Sequence, residues 1–135
     1  MSTTRNIKDD SLIVTKALPA AAASNQSDSI DLGAVSPGVT AEGFEVLIEL
    51  PATPSLVDDK TVTLTLQDSA DNSSFAAISA VGTVVATGSG GDGASAISRR
   101  VRLPSTVRRY IRLDQAVLTA GGDNTAISTT MSLVF

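Results

Sequence analysis

Three stretches of this sequence hold residues whose types and spacing could do chemistry. Gly88, Gly90 and Gly93 satisfy G-x-G-x-x-G after a predicted strand. Such a loop receives phosphates only when a helix N-terminus stands behind the glycines. Here AISRRVRLP, 96–104, alternates as another strand, and no Lys-Ser/Thr pair closes the motif. The reading is therefore a hairpin loop. In DSADNSSF, 68–75, Asp68, Asp71 and Asn72 put side-chain oxygens close together. A calcium loop needs oxygens at alternate positions, a central glycine and a distal glutamate. This stretch has none of these in register, and turn formation by Asp, Asn and Ser accounts for it.

The third stretch is electrostatic. Arg99, Arg100, Arg102, Arg108, Arg109 and Arg112 fall within one short window, whereas most carboxylates precede it. A basic patch of this kind could bind nucleic acid, but the formal net charge is −4 and only Tyr110 in the window could stack on a base. Protein contact is the better reading. Arginine is favoured at interfaces and pairs bidentately with carboxylates, and Glu45 and Glu49 on the outer face of FEVLIEL, 44–50, are its candidate mates. Alternation puts Arg100 and Arg102 on one face of RRVRL, with Arg99, Val101 and Leu103 on the other. An inward Arg99 needs a partner or a place at the edge of a sandwich.

Histidine and cysteine are both absent. That removes the usual acid/base near neutral pH, the usual partner of a serine nucleophile, thiolates, disulfides and the commonest metal ligand. No local signature supports a Ser-Lys nucleophile or a carboxylate pair. The expectation is a protein that is not an enzyme and takes no cofactor, metal, small-molecule substrate or nucleic acid. The opening MSTTRNIKDD is polar, and Lys16 interrupts the apolar run that follows, too soon for a secretory signal. No window approaches the length of a membrane helix.

What must position these residues is a set of short strands. In TVTLTLQ, 61–67, Val62, Leu64 and Leu66 face one way and the threonines the other. FEVLIEL turns Phe44, Val46, Ile48 and Leu50 inward, and Thr125 to Phe135 does the same with Ile127, Met131, Leu133 and Phe135. Weaker candidates are SLIVTKA at 11–17, SDSIDLG at 27–33, Phe75 to Ile78, VGTVVATG at 81–88, 96–104 and RRYIRLDQ at 108–115. About eight or nine short strands without a long helix predict an all-β, antiparallel β-sandwich, jelly-roll-like, spanning 11–135 after an N-terminal arm at 1–10. The arm and GSGGDG, 88–93, should be mobile in the isolated chain.

Four aromatics and no tryptophan make the core light. Each fully buried large aliphatic gives only about 1.5–3 kcal/mol, so a monomer's margin over chain entropy is thin and oligomerisation would relieve it.

Three stretches together, SIDLG at 29–33, LTLQDSADNSSFAAI at 64–78 and RRYIRL at 108–113, resemble the small phage capsid cement proteins. The matching parts are the turn at Asp31–Gly33, the turn and aromatic at Asp68–Phe75, and the late strand at Arg109–Leu113, and the similarity spans about Ser27 to Phe135. The resemblance implies a jelly-roll sandwich assembled as homotrimers on the capsid exterior, stapling major capsid proteins at their junctions, with no catalytic residues to carry over. Another virion β-module, a tail, baseplate or glycan-binding domain, is the competing reading.

Overall fold

Alternation produces strands here because successive side chains point to opposite faces, so each apolar set can be buried while threonines stay on the pleated outside. A computed structural model describes residues 13–32, 45–104 and 106–134. The predicted arm at 1–10 lies outside the described residues, as do Gly33, Phe44 and Phe135.

The strands run in chain order as β1 (Ile13–Ala17), β2 (Ser24–Gln26), β3 (Ile30–Asp31), β4 (Glu45–Leu50), β5 (Thr61–Ser69), β6 (Ala76–Ala77), β7 (Thr83–Thr87), β8 (Ile97–Arg102), β9 (Tyr110–Val117) and β10 (Ser128–Val134). A single turn of 3-10 helix, Ser79–Val81, joins β6 to β7. No α-helix occurs among the described residues, and no helix there is long and apolar enough to cross a membrane. The sequence missed β2 because SNQ is polar and too short to show a period.

All pairings between these strands are antiparallel. One sheet has the order β1-β10-β4-β8. In the other, β9 lies beside β5; β2 and β3 share the free edge of β9, and β6 and β7 share the free edge of β5. Treating β2/β3 and β6/β7 as two interrupted strands leaves eight positions, ordered 1-8-3-6 and 2-7-4-5. This interleaving is the jelly roll.

The inner faces meet where the alternation turned the aliphatics inward, and Ile111 and Leu113 of β9 join them. Val46, Ile48, Val62, Leu64, Leu66, Ile111, Leu113, Met131 and Leu133 are all buried in one cluster. The edges carry charge on that same inner face. Lys16 of β1 stands opposite buried Thr129, and Arg99 of β8 stands opposite buried Ile48. Both are exposed because their strands lie at the rim. Inward-pointing charges on edge strands discourage another strand from adding there.

The glycine loop connects one sheet to the other and is followed by β8, so no helix stands behind it. It packs instead on residues 53–60: Thr53 pairs with Ala94, and the Gly91 amide donates to Asp58 Oδ1 at 2.9 Å. Gly93, at φ +71°, lies so close that an added Cβ would overlap the Thr53 carbonyl oxygen. Only glycine fits that approach.

Candidate protein-interaction site

Register decides where the arginines go. The pairing of β4 with β8 sets Glu45 opposite Arg102, Leu47 opposite Arg100 and Glu49 opposite Ser98, all on the outer face of the first sheet. Arg100 reaches Glu45 at 3.3 Å. The proposed mating of arginines with the acidic face of FEVLIEL thus occurs within the chain, between neighbouring strands. Both side chains are well exposed, so the pair adds at most about 1 kcal/mol. Arg102 and Glu49 form no ion pair among the described residues.

Arg99 is at the sandwich edge, as its inward position required. Its guanidinium donates to the Thr83 carbonyl oxygen at 2.9 Å, joining β8 of one sheet to β7 of the other.

The remaining three arginines lie in β9 of the second sheet or in the loop just before it. Arg108, in the loop before β9, wraps around Asp68: its Nε and a terminal nitrogen donate to Oδ1 at 3.0 and 2.7 Å, and its backbone amide to Oδ2 at 3.0 Å. Asp68 is buried at the inward end of β5, so this pair holds the loop against the core. Arg109 makes a bidentate pair with Asp31 of β3, at 2.8 and 3.0 Å. The Asp31 carboxylate, through hydrogen bonding and charge, raises the Arg109 pKa above its ordinary value. The guanidinium also lies 5.1 Å from the Tyr110 ring centroid.

Arg112 differs from these. It shares the outer face of β9 with Tyr110 and lies opposite Gln67 of β5. Its Nε donates to Gln67 Oε1 at 2.8 Å, and its guanidinium sits 3.9 Å from the Phe75 ring centroid. Its terminal nitrogens have no protein partner among the described residues. Sequence reasoning missed Phe75 and Gln67 as companions of Arg112. Alternation could put Gln67 and Arg112 on outer faces, but nothing in the sequence fixes β5 beside β9.

The arginine window is therefore not one patch. Arg100 and Arg102 face outward from one sheet, Arg112 from the other, and Arg108 and Arg109 are held by carboxylates of the same chain.

The turn stretch behaves as read. Asp71 Oδ1 accepts from Ser69 Oγ and the amides of Ser73 and Ser74, at 2.9, 2.9 and 3.0 Å. These donors, the Ser74 amide foremost, pull the Asp71 pKa down to about 2. No group of three acidic side chains that could hold a metal occurs among the described residues. A shallow cavity of about 320 Å³ opens on the second sheet near Ala22, Thr61, Ala116 and Leu118. Its lining includes no titratable side chain.

Fold and surface together define a jelly-roll sandwich on whose second sheet two arginines lie against aromatic rings, Arg109 on Tyr110 and Arg112 on Phe75. The chain belongs to the Bbp16 family, which matches residues 12–131. That family is phage-related, and so is this protein. No curated protein matches the chain. Among solved structures, the crystal structure of PBSX exported protein XepA is similar, with a TM-score of 0.55 at 16% identity, covering 89% of this chain and 34% of that one. The chain thus spans about a third of that protein's length, and the likeness is one of fold.

Proposed function

We propose that the protein is a non-enzymatic decoration, or cement, protein of a phage capsid. It binds the outside of the shell at junctions of the major capsid protein, as a homotrimer, and stabilises the particle without nucleic acid, membrane, cofactor or small-molecule substrate. The observation that carries this reading is a jelly-roll sandwich in a phage-related family, whose surface arginines, one of them stacked on half-buried Phe75, suit protein contact. Aliphatic side chains, without a buried aromatic among the described residues, fill its core, which favours burial against further copies.

The test adds purified protein to particles lacking it and scores occupancy and resistance to heat, with oligomeric state read by light scattering. Trimers that load the shell and raise its resistance are expected. A stable monomer that leaves the particles unchanged would rule the reading out.

The likeness to an exported protein favours a second reading, a module of a longer phage protein acting away from the shell. Tail or baseplate location in labelled virions would select it.

A further inference from the structure

We propose that Arg112, stacked on Phe75, is the residue through which the outer face of the second sheet grips a carboxylate of the shell protein, an inference that rests on the decoration role.

The two outer faces differ in what they offer a partner. That of the first sheet carries Glu45, Glu49, Arg100 and Arg102, long charged side chains on a solvated surface. That of the second carries a short-chained stretch, Thr61, Thr63 and Thr65 of β5 between β9 and β7, with Val85 of β7 47% exposed, and beside it Gln67, Tyr110, Arg112 and Asp114. Interface cores are depleted in charge and enriched in aromatics and arginine, and on this face an uncharged stretch adjoins the stack of Arg112 on Phe75.

Within that face Arg112 is built to recognise an anion. The Phe75 ring beneath the guanidinium and the Gln67 oxygen on Nε hold the side chain in one orientation. A neutral amide accepts that bond, and Arg112 makes no ion pair among the described residues; Asp114, next on the same face, accepts from Gln26 instead. The two terminal nitrogens, without a protein partner among the described residues, make a fork, and the ligand that matches two parallel N–H donors on a planar cation is a carboxylate. Preorganisation lowers the entropy lost on binding, which makes a clamped arginine a better anchor than a free one. Arg108 and Arg109 lack this capacity because Asp68 and Asp31 already occupy their forks. The occupant is therefore an Asp or Glu side chain on the capsid exterior.

The experiment measures binding of the full chain to decoration-free particles for wild type, Arg112→Gln, Arg112→Lys, Phe75→Leu and the control Lys60→Ala, with circular dichroism and light scattering on each. Arg112→Gln should weaken binding on the order of 10–100-fold, as loss of a central anchor does. Arg112→Lys should remain weak because it keeps the charge and loses the fork. Phe75→Leu should weaken binding less, while Lys60→Ala should match wild type, with every variant folded. Wild type that binds while Arg112→Gln binds equally well overturns this inference and leaves the decoration role standing. Full rescue by Arg112→Lys, or a change of oligomeric state in Arg112→Gln, also overturns it; the latter would place the contact between copies of this chain. Wild type that does not bind at all removes the decoration role itself.

Discussion

Gln115 of β9 and Thr129 of β10 join the two sheets through the core: the threonine hydroxyl donates to the glutamine Oε1. The amide nitrogen of Gln115 donates to the Ala17 carbonyl at 3.0 Å and to Asn25 Oδ1 at 2.8 Å, while Asn25 donates to the same carbonyl. One fully buried side chain therefore ties β9 to β10, β1 and β2. Replacing it with leucine takes the donor from Asn25 Oδ1, leaves the Ala17 carbonyl to Asn25 alone and leaves the buried Thr129 hydroxyl only a long contact with the Lys16 carbonyl, at 3.4 Å. Gln115→Leu should cost about 1–3 kcal/mol in urea unfolding. Thr129→Val should also destabilise, and the double variant should lose less than the two singles summed. Strict additivity would show that the bridge contributes nothing.

Leu64→Ala should cost about 2–5 kcal/mol, since Leu64 lies in the middle of β5 with 1% of its surface exposed. Val85→Ala on the neighbouring strand should stay within about 0.5 kcal/mol, because half of that side chain is already in water. Chemical denaturation with unchanged slope tests both.

Acid should act through Asp71. Its carboxyl titrates near 2 in the folded chain against 3.8 ordinarily, so folding favours the ionised form. The contribution is complete above 3.8 and disappears as pH falls through about 2. Asp71→Asn should flatten this limb of the stability profile. Carboxyl chemical shifts from NMR titration would locate the midpoint, and a midpoint near 3.8 would contradict the turn geometry.

Arg108 should prove structural. Removing it leaves the buried Asp68 carboxylate with only the backbone amide of residue 108, a loss of about 1–2 kcal/mol given that the arginine itself is 42% exposed. Arg108→Ala should lower the melting temperature yet load particles normally below it. Lost binding with unchanged melting would mean that Arg108 contacts the shell.

Much of the fold was legible because alternation reports directly which side chains can share a face. Val62, Leu64 and Leu66 against Thr61, Thr63 and Thr65 left no other strand reading, and all three aliphatics are buried. An inward Gln115 also follows from the run Ile111, Leu113, Gln115, Val117, although its partner Thr129 does not. Pairing between distant strands leaves no local trace. The arginine window looked continuous because residues 99–112 are close along the chain, but β8 and β9 belong to different sheets, which carries Arg102 and Arg112 to opposite sides of the molecule. Asp31 and Asp68, the carboxylates that hold Arg109 and Arg108, lie 78 and 40 positions away. Only the register reveals them.

The place of β10 between β1 and β4 sets an order of events during synthesis. A nascent chain presents Ile13–Ala17 and Glu45–Leu50 long before Ser128–Val134 leaves the ribosome. Until then the first sheet has a gap at its second position, and β1 has no strand to pair with. The sandwich therefore closes late, after nearly all of the described chain has been made, through contacts of high sequence separation that form slowly. During that interval the apolar side chains of β4 are open to water and to other chains. Yield during expression should depend on how fast the last strand arrives as well as on the stability of the finished fold.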